Sequence, residues 1–221
     1  GIQFAVLENG AVVWDWKNRC AIKQELLPKG IVKAILKDIE EQASVGYYPE
    51  VIVNGKVYVD VKIQKELEQS RIAGNFAEYM RQNHIFLEKL ASRTELLDAA
   101  EKLNIYFEDV KLGEKVRRKW KTEPQLNVTT SVSGNAEFTA AGINKGHGIK
   151  ILQQHLGISK QKCIAIGDNE NDLEMFAQVH MAVAMGNAKA HVKRAADEVT
   201  LSCDEDGVAV FLELIKPVWD L

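Results

Sequence analysis

Apolar residues follow two different patterns along this chain, and the change comes near residue 140. Beyond it, short apolar runs alternate with segments of helical spacing. Cys163–Ile166 and Met181–Ala184 read as strands buried on both faces, and Glu198–Leu201 as a third strand. Helical spacing covers Gly148–Leu156, Asn171–Val179, a segment from Gly186-Asn187 to about Ala196, and Val208–Lys216. Strand–helix–strand alternation at this spacing predicts parallel βαβ units with right-handed crossovers.

Ahead of residue 140 the pattern mixes hairpins with helices. "FAVLENGAVVW" reads as strand, Asn-Gly turn and strand, an unusual opening for an open parallel sheet. "VIVNGKVYV" (Val51–Val59) is a hairpin around Asn54-Gly55. Helical spacing covers Pro28–Gln42, Gln64–Gln82, Thr94–Leu103 and Lys111–Lys121. Ile105–Glu108, Leu126–Val132 and Ala136–Thr139 read as strands, the last two around Ser133-Gly134-Asn135. Ile85–Leu90 fits strand and helix equally, because periodicity alone does not separate short apolar runs. The expectation is an α/β core formed by residues 1–19 and 140–221, with an α+β domain inserted over 20–139.

The composition is that of a globular protein: 221 residues, 46% hydrophobic and 27% charged, with net charge −3. That charge gives no field for nucleic acid or anionic membrane. No apolar run approaches the ~20 residues a membrane span needs. The first residues lack the basic start of a secretory signal and do not fit a myristoylation signal. Cys20, Cys163 and Cys203 form no CxxC pair or even framework, which suits a reducing, cytoplasmic setting.

The candidate chemistry lies in three loops. In "CIAIGDNENDLEMF" an apolar strand stops at Gly167 and four carboxylates follow within seven residues. In open α/β sheets, ligands bind beyond the carboxyl ends of the strands, where Asp168 falls, with Asp172 four residues later. Crowded carboxylates need a cation or a hydrogen-bond network to offset them. Mg2+ suits the place, because it takes oxygen ligands and commonly uses one or two carboxylates plus substrate phosphate. Helix capping by Asp168 and Asp172 explains the spacing equally well. Glu170 and Glu174 read as solvent-facing.

In "GINKGHGIKIL", Lys145 precedes a helix N-terminus, where an ammonium and free backbone N–H groups together can hold a phosphate. On its own the lysine reads as a solvated loop residue. In "MAVAMGNAKAHVKRAADEVT", Asn187 reads first as a helix cap and second as a lining residue of the same crevice, with His191 and Lys193 on the exposed face. "KLGEKVRRKWK" clusters basic residues around Trp120 and reads as a solvated helix face with the indole turned toward the sheet.

Taken in order, Asn9-Gly10-Ala11, Asn144-Lys145-Gly146, Gly167-Asp168-x-x-Asn171-Asp172, Ala184-Met185-Gly186-Asn187-Ala188 and Asp206-Gly207-Val208-Ala209 resemble the haloacid-dehalogenase-like phosphatases of the Cof-type, large-cap (IIB) branch. The resemblance implies a Rossmann-like core with an inserted cap. It implies hydrolysis of a small phosphomonoester, such as a sugar phosphate, through an aspartyl-phosphate. Lys145 would then steady the phosphoryl group, Asn171 would contact bound phosphate or neighbouring loops, and Asp168 would hold Mg2+. Asp172 would assist the metal from behind or through water. The expected partner is a small phosphorylated substrate, with no nucleic acid and no membrane.

The family's nucleophile belongs to a D-x-D-G-T/V segment at the end of a first strand, and no such segment precedes Phe4. Asp204-Glu205-Asp206-Gly207-Val208 spells the motif, but no apolar strand runs into it, and it reads as an acidic turn capping the last helix. The expectation is therefore a core incomplete at its N-terminus and inactive alone. Its uncovered sheet edge and helix faces would invite self-association or a missing N-terminal segment. The competing reading is a non-catalytic remnant that binds a phosphate ligand or a partner.

Overall fold

The computed structural model describes residues 2–43, 45–64 and 74–219. The chain divides into two compact units, Gly1–Ile143 and Asn144–Leu221. No helix among the described residues is long and apolar enough to cross a membrane.

The first unit opens with an antiparallel hairpin of β1 (Phe4–Leu7) and β2 (Val12–Asp15), and β3 (Cys20–Gln24) adds to β2. The bend at the tip has Glu8, Asn9 and Gly10 all at positive φ, 51°, 54° and 98°. Strand β3 escaped the sequence reading because it is almost wholly exposed, so no apolar alternation marks it. The sequence boundary at 19/20 falls in the turn between β2 and β3.

A six-stranded sheet follows, ordered β6-β5-β4-β7-β9-β8. Its strands are β4 (Tyr47–Val53), β5 (Lys56–Asp60), β6 (His84–Leu87), β7 (Lys102–Phe107), β8 (Leu126–Thr129) and β9 (Asn135–Ala140). Only β5 and β6 run parallel. Alternate side chains along a strand face opposite sides, so β4 serves two layers. Tyr47, Val51 and Val53 join the main core with Ile35 and Ile39 of α1 (Ile31–Gln42) and Val116 from further along the chain. Tyr48 joins a smaller cluster with Val59, Ile63 and Met80, the last from α2 (Gly74–Asn83). Residues 65–73 of the expected Gln64–Gln82 helix lie outside the described residues.

The expected helix Thr94–Leu103 is shorter: α3 covers Thr94–Asp98, and Lys102 already belongs to β7. Leu96, Leu97, Ala100 and Leu103 match helical spacing, but Leu103 is fully buried between Val51 and Phe138 of the neighbouring strands, and that pairing decides. Strand β8 ends at Thr129 rather than Val132, because the Asn135 Oδ1 takes hydrogen bonds from Thr130 Oγ1, Ser131 N and Val132 N and curls the chain there. Trp120 ends α4 (Val110–Trp120), packs on the main core and donates Nε1 to Asp38 Oδ2 at 2.9 Å.

Glu50, Asn104 and Glu137 stand opposite one another on three adjacent strands and form a buried polar row. Burial alone would push the Glu137 carboxyl up. The Lys102 ammonium at 2.9 Å, with hydrogen bonds from Asn9 and Ser131, outweighs burial and holds it below its ordinary value of 4.5. A carboxyl depressed on folding adds stability that is complete above that value and disappears as acid protonates it. Glu137→Gln should therefore destabilise this unit at about pH 6 and converge on the wild type toward about pH 3 in urea titrations. A gap that stays constant on acidification would show that the ionised carboxylate contributes nothing.

The second unit is a parallel sheet, β10 (Ile164–Gly167), β11 (Met181–Ala184) and β12 (Glu198–Val199), in that order. Its helices are α5 (Lys145–Leu156), α6 (Leu173–Phe176), α7 (Ala190–Ala195) and α8 (Gly207–Trp219). Ala165, Phe176, Ala182, Ala184 and Val192 form its core. The parallel α/β expectation holds here, with α6 and α7 shorter, and α5 and α8 longer, than the pattern suggested. The Asn171–Val179 segment is a 3-10 turn, Glu170–Asp172, followed by the single-turn α6.

Candidate active site

Lys145 is the first residue of α5, which begins three residues earlier than the sequence pattern indicates. Asn144 makes that start possible: its side chain accepts the His147 N–H at 2.9 Å. Gly146 lets the helix lie against the loop after β10, since a Cβ there would collide with the Glu174 carbonyl oxygen and sit 2.7 Å from its carbon. Lys145 Nζ then meets Asp172 Oδ1 at 2.5 Å.

The acidic loop is organised by Asp172. This residue is 4% exposed, and its Oδ2 accepts the backbone N–H groups of Asp168 and Asn169 at 2.9 and 3.0 Å. Asn169 and Asp172 cap the 3-10 turn reciprocally, which is the capping reading of the spacing as it concerns Asp172. With Lys145 on one oxygen and two amides on the other, Asp172 is fully engaged inside the protein. Asp168, one residue past β10, is half-buried, and its Oδ2 receives Asn187 Nδ2 at 3.0 Å. No lysine or arginine of the described residues pairs with it. Asn171 is buried within the turn.

The four carboxylates of this loop are thus neutralised differently. Lys145 and two amides offset Asp172; Lys189 and His191 lie 3.7 and 3.5 Å from the exposed Glu170. Glu174, expected to face solvent, is half-buried instead, with its Oε2 inaccessible. Asp168 has only the Asn187 amide beside it among the side chains of the described residues that the structure shows bonding to it.

Asn187 is not a helix cap. Lys189 precedes α7, and Asn187 instead bridges two loops: it donates to Asp168 and accepts the Cys203 N–H at 3.0 Å. Lys193, expected on the exposed face, reaches back to the Gly186 carbonyl at 2.5 Å and ties down the loop that carries Asn187. Asp204 lies in a 3-10 turn capped by Ser202 and Glu205, and Asp206 follows at φ 55° ahead of α8, so this stretch is a turn and not a strand end. The sequence reading underestimated Asn187 because a cap and a loop bridge use the same residue type after the same strand–glycine signal. Among the described residues, no group of three or more His, Cys, Asp or Glu side chains is placed to hold a metal ion.

The ends of this parallel sheet bring a lysine, two aspartates and an asparagine together. The family model of haloacid dehalogenase-like hydrolases matches residues 1–212, and the chain belongs to that family. It is 29% identical over 228 residues to phosphatase YwpJ of Bacillus subtilis, covering 93% of this chain and 77% of that one. It is 36% identical over 126 residues to a chloroplastic endoribonuclease YBEY of Arabidopsis thaliana, covering 55% of this chain but only 22% of that longer protein. Among solved structures, a HAD subclass IIB sugar phosphatase superposes with TM-score 0.77 at 22% identity, covering 97% of this chain and 76% of that one.

Proposed function

We propose that the second unit carries the phosphate and metal site of a phosphatase acting on small phosphomonoesters, sugar phosphates being the leading class. The carrying observation is the convergence of Lys145, Asp172 and the Asp168 loop through a 2.5 Å ion pair and two backbone hydrogen bonds. Phosphatase YwpJ and the subclass IIB sugar phosphatase support the reading by similarity.

In this proposal Lys145 supplies the positive charge beside a helix N-terminus that receives the phosphoryl oxygens. Asp172 is a positioning residue that fixes the lysine and shapes the loop. Asn171 and Asn187 order the loops beside it. The donor set fits Mg2+ held by the single carboxylate of Asp168, with water and phosphate oxygens completing the shell; Asp172 does not fit as a direct ligand, since both its oxygens are engaged. When bound, such an ion would neutralise charge developing on the transferring group. We assign residues 20–139 to substrate selection, and residues 1–19 with 140–221 to the catalytic core.

Covalent phosphatase chemistry needs an aspartate nucleophile beside this site, and no D-x-D-G-T/V segment at a strand end occurs among the 221 residues. The 221-residue chain assayed alone with p-nitrophenyl phosphate and Mg2+ should show no turnover above background. Turnover that disappears in Asp168→Asn would overturn this. Inorganic phosphate should still bind in calorimetry, with affinity falling about tenfold or more in Lys145→Ala. Equal phosphate affinity in the two proteins would remove the lysine from the site.

A further inference from the structure

Asn187 is exposed, yet both polar ends of its side chain are engaged. Nδ2 donates to Asp168 Oδ2 and Oδ1 accepts the Cys203 N–H, each at 3.0 Å. The backbone beneath it is fixed from three sides. Lys193 Nζ holds the Gly186 carbonyl at 2.5 Å, and the Gly186 N–H donates to the Leu201 carbonyl at 2.9 Å. Gly186 also lies so near the next loop that a Cβ on it would sit 2.6 Å from Ser202 N. The amide therefore reaches Asp168 already oriented, which a freely rotating surface side chain would not.

This contact makes the two oxygens of Asp168 inequivalent. Oδ2 carries the Asn187 amide. Oδ1 takes no hydrogen bond from any described residue, and it is not sealed from solvent. Such a carboxylate offers a cation one oxygen; offering two would break the bond to Asn187. The divalent ions differ in what they ask of a carboxylate. Mg2+ demands near-ideal octahedral geometry, into which the narrow bite of a bidentate carboxylate fits poorly. Ca2+ tolerates irregular geometry and readily takes both oxygens.

We propose that Asn187 is a positioning residue that restricts Asp168 to one donor oxygen and thereby biases the site toward Mg2+ and against Ca2+. The inference rests on the reading of Asp168 as the metal-holding carboxylate. It goes further in assigning the choice of ion to a residue that touches no metal. Partners behind a metal ligand commonly tune affinity by about ten- to hundredfold. A residue that only braced its loop would, on removal, weaken both ions alike; a residue that sets denticity changes their ratio.

Mg2+ and Ca2+ titrations of the whole 221-residue chain test this, followed by the NMR shifts of the Asp168 and Asn169 amides, which report binding even at millimolar affinity. The ratio of the Ca2+ to the Mg2+ dissociation constant should fall about tenfold in Asn187→Ala. Asn187→Asp still accepts the Cys203 N–H but no longer donates to Asp168. Its added charge should tighten both ions while the ratio falls at least as far. Should Asn187→Ala lose its native spectrum, Asn187→Asp carries the test. An unchanged ratio in a folded variant would reduce Asn187 to a loop brace and overturn the proposal, leaving the metal reading of Asp168 intact. If Mg2+ leaves both amides unmoved in the wild type, or moves them equally in Asp168→Asn, the metal reading itself fails and this inference with it.

Discussion

Asp172→Ala should cost about 3 kcal/mol of stability, more than any other single side-chain truncation in the loop after β10. Three donors converge on this one carboxylate: Lys145 Nζ and the N–H groups of Asp168 and Asn169. Alanine leaves a half-buried ammonium without its partner and two backbone donors without an acceptor. Water reaching Lys145, whose side chain is 32% exposed, softens the first loss, and the half-buried Asp168 and Asn169 give their amides partial relief. Asp172→Asn keeps an acceptor of the same shape and should lose roughly half as much. Urea unfolding gives the total, and amide hydrogen exchange at Asp168 and Asn169 locates it, since those two protons should lose protection first. A loss below about 1 kcal/mol with protection intact would mean the network is surface ornament.

The parts of this architecture that the chain announces in advance are those where one physical demand acts alone. Strands β10 and β11 are legible because burial on both faces leaves only apolar residues. The Asn54-Gly55 hairpin is legible because its turn needs left-handed backbone, and both residues adopt it, at φ 51° and 67°. Lys145 and Asp168 do not stand out locally: the lysine reads as a solvated loop residue and the aspartate as cap or metal ligand equally, and only the ordered set of motifs singles them out. Illegible elements are those where two demands share a residue. Leu103 has helical spacing and a sheet address, and the sheet prevails. Asn187 can cap or bridge, and only the position of the Cys203 amide selects the bridge. Strand β3 depends on contacts across long separations, Gln24 to Glu101 and Asn54, which no local window contains.

Gly146→Ala should match the Asp172 truncation in size while adding no charge and removing no hydrogen-bonding group. The new methyl would strike the Glu174 carbonyl, whose carbon lies 2.7 Å from the ideal Cβ position, and main chain cannot swing aside as a side-chain tip can. Helix α5 must therefore back away from α6, which we expect to cost about 3 kcal/mol, the upper part of the range for overpacking. The displacement carries Lys145 with it, so phosphate affinity should fall about tenfold, although the altered atom makes no contact with phosphate. Gly157→Ala is the control: it sits at the other end of the same helix with open space around it and φ 64°. It should cost only about 1 kcal/mol, for the left-handed backbone, and leave phosphate affinity unchanged. If Gly146→Ala behaves like Gly157→Ala in both measurements, the close contact of α5 with the acidic loop is not what positions the lysine.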